Sequence, residues 1–119
     1  MLALVHRLIT GATIPASCEI GAGTKVAYGG AGLVMHANTR VGRDCLLSPG
    51  VLLGSSQARS LNHGAPSLCN NVRVYQNAAI LGGVTVGAGA VINANAVVLD
   101  DVPAGGIVNA PKSSLRTRL

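Results

Sequence analysis

At 119 residues, with 49% hydrophobic but only 2% aromatic residues and no Phe or Trp, the chain is one domain, residues 1–119, whose interior must be filled by Val, Ile, Leu and Ala. Nine Lys and Arg against four acidic residues give a net charge of +5, but the cations are scattered and only Tyr28 and Tyr75 offer stacking rings, which argues against a nucleic-acid surface. Cys18, Cys45 and Cys69, odd in number and far apart, exclude a secreted disulfide framework and a zinc ribbon and fit a reduced, cytoplasmic setting.

The chain opens on MLALVHRLI, an apolar run broken by His6 and Arg7. It is too short for a membrane span and lacks a small-residue cleavage site. Residues 1–11 therefore read as a short helix capping one end of the domain.

From residue 12 onward apolar residues recur every six positions, in three runs. The first is Ile14, Ile20, Val26; the second is Met35, Val41, Leu47, Leu53; the third is Leu68, Val74, Ile80, Val86, Ile92, Val98. Four residues after each anchor the side chain is small, as at Cys45, Ala78, Ala90 and Ala96, with Gln57 the exception. One large and one small inward residue per hexad suits a narrow three-faced prism of short parallel strands stacked about 4.8 Å apart. A β-sandwich would alternate with period two and turn at irregular intervals.

The corners of such a prism need residues that tolerate positive φ. The third position after each anchor supplies Ser17, Gly23, Gly29, Asn38, Asp44, Gly50, Ser56, Asn71, Asn77, Gly83, Gly89, Asn95 and Asp101, all turn-forming types. The coil is expected over 12–103, with a tail over 104–119. Outward positions include Leu46, Leu52, Leu81, Val91, Val97 and Leu99, a surface that association would cover.

The rhythm fails twice, and breaks in a repeat are where function is inserted. Three surplus residues surround Tyr28, Gly29 and Gly30, and a longer insertion, expected as a loop over 55–67, contains SSQARSLNHGAPS. His63 lies in that loop beside Asn62, and His36 follows the inward Met35. A neutral imidazole can accept a proton from a hydroxyl as it attacks a carbonyl, which makes both histidines candidates.

The hexads, with the stretch AYGGAGLVMHANTRVG and the ending VVLDDVPAGGIVNAPKS, resemble the hexapeptide-repeat acyltransferases, most closely the serine acetyltransferase-like branch, from Thr10 to Ser113. The resemblance implies an all-β fold, a single-stranded left-handed parallel β-helix. It also implies a homotrimer, with the pairing of trimers left open, and acetyl-coenzyme A in a groove between subunits. A helical N-terminal domain usually precedes the coil in that branch, and here only the first few residues stand before it. The loop motif Leu61-Asn62-His63-Gly64 resembles the histidine-bearing loop of the family, which implies His63 as general base and backbone N–H groups near Gly64 or Gly54 as oxyanion donors. His36 is then a substrate ligand or the alternative base, and Tyr28, Gly29 and Asn62 line the acceptor.

The run ILGGVTVGAGAVINANAVV resembles the coils along the coenzyme A groove, where Gly82, Gly83, Ala88 and Ala94 would let a pantetheine arm lie against the backbone. Asn109 and Pro111 match the family's motif after the last coil, with Asn109 in place of a glycine, and Lys112 and Arg116 are placed to meet phosphates. The branch carries an Asp-His pair where this chain has Tyr28 and Gly29, and its loop histidine directly precedes Pro, whereas Ala65 precedes Pro66 here. The acceptor is thus a serine-like small molecule or a saccharide. Two other readings stay open: a silent trimer that binds coenzyme A or scaffolds an assembly, and a carbonic-anhydrase-like metal enzyme. No metal is expected, because a three-histidine zinc site finds only His36 and His63 in the coils.

Overall fold

The computed structural model describes residues 11–56 and 64–118. They form a stack of parallel rungs with three faces. The first face holds β1 (Glu19–Ile20), β4 (Arg40–Val41), β7 (Ser67–Leu68) and β10 (Thr85–Val86). The second holds β2 (Lys25–Val26), β5 (Leu46–Leu47), β8 (Arg73–Val74), β11 (Val91–Ile92) and β13 (Ile107–Val108). The third holds β3 (Val34–Met35), β6 (Leu52–Gly54), β9 (Ala79–Leu81) and β12 (Val97–Val98). No described helix is long and apolar enough to cross a membrane.

The six-residue period works because each hexad advances the chain by one face. Anchors of one face stack in register: Ile20 on Val41, Leu68 and Val86; Val26 on Leu47, Val74 and Ile92; Met35 on Leu53, Ile80 and Val98. Of these, Met35, Leu47, Leu53, Ile80 and Ile92 are buried, and the small partners Cys45, Val51, Val72, Ala78, Val84, Ala90 and Ala96 fill the axis between them. Backbone groups are satisfied rung to rung, as in Leu46 N–H to Val72 O at 2.9 Å and Arg73 N–H to Ala90 O at 3.0 Å.

Three edges join the faces. The first edge, from first to second face, turns through left-handed Gly23, Asp44, Asn71, Gly89 and Gly105. The second edge, from second to third face, turns through Gly29, Gly50, Asn77 and Asn95. The third edge differs from the expectation: Ser17, Asn38, Ser56, Gly83 and Asp101 are not left-handed there. Hydrogen-bonded reversals occur there without one, with Cys18 N–H reaching Pro15 O and Thr39 N–H reaching His36 O, and positive φ falls on Gly82 instead of Gly83.

Several boundaries also differ. Ser67 opens β7, pairing with Arg40 and Thr85, so the insertion ends at Pro66. The coil continues beyond 103, because Gly105 makes another first-edge turn and Val108 stacks on Ile92. The expected N-terminal helix falls on residues 1–10, outside the described residues, and Gly11 is left-handed.

The first edge shows how tightly the rungs approach. A Cβ on Gly42 would lie 2.7 Å from the Cys69 carbonyl carbon, backbone that cannot step aside without parting two rungs. Gly42→Ala is expected to cost about 1–3 kcal/mol in denaturant unfolding. An unchanged midpoint would show that the rungs separate freely at this edge.

Candidate active site

His36 is the first third-edge residue after β3. Its N–H donates to Leu53 O at 2.7 Å, and its carbonyl accepts the Thr39 N–H at 3.0 Å and the Cys18 thiol at 3.1 Å. The half-buried ring is then oriented by a local contact: Asn38 N–H donates to His36 Nδ1 at 3.1 Å. A backbone donor facing Nδ1 requires a lone pair there, so the neutral ring carries its proton on Nε2. In this geometry His36 presents a donor, not a base. Beside it lies a polar cleft of about 220 Å³ lined by Ser17, Glu19, Asn38, Thr39 and Arg40. Glu19 Oε2 and Arg40 Nε stand 3.7 Å apart there, both largely exposed.

The neighbouring Cys18 is a half-buried free thiol. Burial pushes its thiol above the ordinary value, only partly offset by a hydrogen bond from the Thr39 backbone.

Because Met35 stacks on Leu53, Gly54 is the next third-edge residue along from His36, about one strand spacing away. The chain leaves the coil after Gly54, so His36 and the root of the large insertion share one edge. The Gly54 carbonyl accepts Gly82 N–H at 2.8 Å, which places Gly82 and Gly83 one rung further on the same edge. His63 and Asn62 lie outside the described residues.

The second edge carries the other interruption. Its surplus residues lie in a kinked turn over Ala27–Gly30, in which Tyr28 (φ 52°), Gly29 (φ 67°) and Gly30 (φ 77°) are all left-handed. Tyr28 is exposed and Gly30 is buried. Further along this edge an open groove of about 690 Å³ is lined by Tyr75, Gln76, Asn93, Ala94, Asn109, Ala110 and Lys112. The anchors set that alignment: Tyr75 N–H donates to Ile92 O and Asn93 N–H to Val108 O, both at 2.9 Å, and the Asn93 amide donates to the Asn109 side chain.

Among the expected cofactor residues, Ala94, Asn109 and Lys112 meet in this groove. Pro111 and Arg116 follow in the exposed, extended tail, while Gly82 and Gly83 lie on the third edge and Ala88 on the first. One protomer thus spreads the glycine-rich run over three edges, because each hexad rotates the chain by one face. Tyr75, Gln76 and Asn93 were not singled out from the sequence. Their signal was there: Tyr75 and Asn93 each directly follow an anchor of the second face, as Asn109 follows Val108.

The outward ladders separate the faces chemically. The first face shows Glu19, Arg40, Ser67 and Thr85, and the third shows Val34, Leu52, Ala79 and Val97. Comparisons with known proteins fit this architecture. Residues 65–100 match the profile of the bacterial transferase hexapeptide (six repeats). The serine acetyltransferase of Helicobacter pylori is 36% identical over 118 residues, covering 98% of this chain and 67% of that protein. The chain belongs to the hexapeptide-repeat acyltransferases, in their serine acetyltransferase-like branch. This acyltransferase is also 32% identical over 119 residues to WcaB of Escherichia coli, an acetyltransferase assigned to colanic acid biosynthesis, with 97% and 72% of the two chains covered. A serine acetyltransferase solved in complex with CoA superposes with a TM-score of 0.74 at 29% identity, covering 85% of this chain and 40% of the other. The acyltransferase therefore has the left-handed parallel β-helix of its relatives, and spans two-fifths of that solved chain's length.

Proposed function

We propose that this chain transfers an acetyl group from acetyl-coenzyme A to a hydroxyl of a small molecule or saccharide. The observation that carries the reading is the placement of the two interruptions. They leave the coil at the second and third edges, the two edges that border the apolar third face. A homotrimer packed through Val34, Leu52, Ala79 and Val97 would bring the second edge of one copy toward the third edge of the next, while covering surface worth about 25 cal/mol per Å². The groove ending at Lys112 then takes coenzyme A, with Lys112 and Arg116 toward its phosphates and Ala94 clear of the pantetheine arm.

In that arrangement the acceptor oxygen attacks the thioester carbonyl carbon as His63 takes the hydroxyl proton. Backbone N–H groups near Gly64 or Gly54 hold the developing negative charge. The carbon–sulfur bond then breaks, and the proton passes to sulfur, leaving an O-acetyl ester and the free thiol of coenzyme A. His36, with its proton on Nε2, donates to the acceptor rather than deprotonating it. A silent coenzyme A-binding trimer is favoured by one observation: Tyr28 and Gly29 stand where the branch carries its Asp-His pair, so no carboxylate orients a histidine on that turn.

Acetyl-coenzyme A at about 100 times its Kd is expected to stabilise the protein by about 2.7 kcal/mol in thermal unfolding, and Lys112→Ala to reduce that gain. Thiol release on adding an acceptor separates the enzyme from the silent binder. No stabilisation by acetyl-coenzyme A would defeat both.

A further inference from the structure

The second-edge groove contains a side-chain pair whose hydrogen-bonding capacity is partly unused. Asn93 and Asn109 each directly follow an anchor of the second face, on neighbouring rungs, and the Asn93 amide N–H donates to Asn109 Oδ1. A glycine at position 109 would leave Asn93 without this partner. An amide side chain carries one carbonyl oxygen and two N–H hydrogens. After the mutual bond, Asn93 Oδ1 is left as an acceptor and the Asn109 amide nitrogen as a donor, and neither has another hydrogen bond among the described residues. Both residues line the groove, Asn93 half-buried and Asn109 exposed.

The backbone beside the pair is committed elsewhere. Tyr75 N–H donates to Ile92 O and Asn93 N–H to Val108 O, so at these two positions the main-chain donor is held by the next rung and the side chains are what the edge offers a ligand. Position along the edge decides what the pair meets. Asn109 belongs to the end that carries Lys112, and Asn93 lies one rung, about 4.8 Å, nearer the Tyr28 turn. Coenzyme A with its phosphates at Lys112 and its thioester toward the rungs of the two interruptions lays its pantetheine arm over Asn109 and Asn93.

That arm contains two secondary amides, each with one N–H and one C=O. A secondary amide is the complement of the pair: its N–H donates to Asn93 Oδ1 and its oxygen accepts from the Asn109 amide. An adenine edge also sets a donor beside an acceptor, but adenine lies on the far side of the phosphates from the arm. We infer that Asn93 and Asn109 recognise the pantetheine amide nearer the phosphates, so that the acyl donor is selected by its arm as well as by its charge. The inference rests on the reading of this groove as the coenzyme A site.

Kd for coenzyme A is to be measured by titration calorimetry, with pantetheine and ADP as separate competing ligands, for the native chain, Asn93→Leu, Asn109→Ala and Lys112→Ala. Asn93→Leu and Asn109→Ala should each weaken coenzyme A and pantetheine by the same factor, about tenfold, while ADP keeps its native Kd. Lys112→Ala should do the reverse, weakening coenzyme A and ADP and sparing pantetheine. Denaturant midpoints near native separate lost binding from lost folding, and Asn109, being exposed, keeps the test open should the half-buried position 93 not tolerate leucine. An unchanged Kd for coenzyme A in a folded Asn93→Leu or Asn109→Ala chain would overturn the assignment, leaving the pair as a tie between rungs. Weakening of ADP with pantetheine unaffected, or no measurable affinity of the native chain for pantetheine, would overturn it as well. A native chain that fails to bind coenzyme A at all would instead defeat the acetyl-transfer reading beneath it, and the arm assignment with it.

Discussion

His63→Ala is expected to lower kcat for acetyl transfer by about 10²- to 10⁴-fold while leaving the KM for acetyl-coenzyme A close to native. The chain contains three histidines. His6 belongs to the segment before the coil, and His36 has committed Nδ1 to the Asn38 N–H, which fixes its proton on the outer nitrogen. Turning His36 into a base at Nε2 would require moving that proton to Nδ1, against a backbone donor 3.1 Å away. The proposed base is therefore His63. His36→Ala should accordingly act on the KM of the acceptor more than on kcat. Steady-state kinetics on both variants decide the matter: full kcat in His63→Ala, with a collapse in His36→Ala, would reverse the two roles.

Leu53→Ala is expected to cost about 2–5 kcal/mol, a large share of the roughly 5–15 kcal/mol typical of a domain. Leu53 is fully buried and stacks between Met35 and Ile80, so truncation leaves a void in the middle of the third-face ladder with rungs on both sides. The rungs cannot close the gap, because each is held at strand spacing by its own hydrogen bonds, such as His36 N–H to Leu53 O. The loss should be read by denaturant unfolding at one fixed protein concentration, since an oligomer's midpoint moves with concentration. A change below about 0.5 kcal/mol would mean the axis of the prism repacks, contrary to its crystal-like density.

The periodic part of this molecule is legible from its residues because one physical rule repeats: a large inward anchor, a small inward partner and a turn every six residues. That rule identified the anchors and partners that prove buried, and the left-handed residues at the first and second edges. It failed at the third edge for a local reason. Ser17, Asn38, Ser56, Gly83 and Asp101 are turn-forming types whatever the sign of φ, and only the structure shows that none of these is left-handed while Gly82 is. The end of the coil was missed because Val108 is out of step with the period, so its stacking on Ile92 depends on the turn at Gly105. The site was legible in its parts and not in its grouping. Residues six apart in sequence point to different faces, so Gly82, Ala88 and Ala94 separate, while Tyr75, Asn93 and Asn109, distant in sequence, share an edge.

The terminal rung has a consequence for what the molecule does not build. Val74 to Ile92 spans eighteen residues, whereas Ile92 to Val108 and Val86 to Val102 each close in sixteen. Pro103 stands on this shortened circuit and Pro111 shortly after it, each without an amide proton to offer. A parallel stack with open ends is a template for filament growth, since each rung would accept another of equal circumference. Here the last described circuit is of unequal circumference and lacks a donor at Pro103, which works against a second molecule continuing the ladder in register at this end.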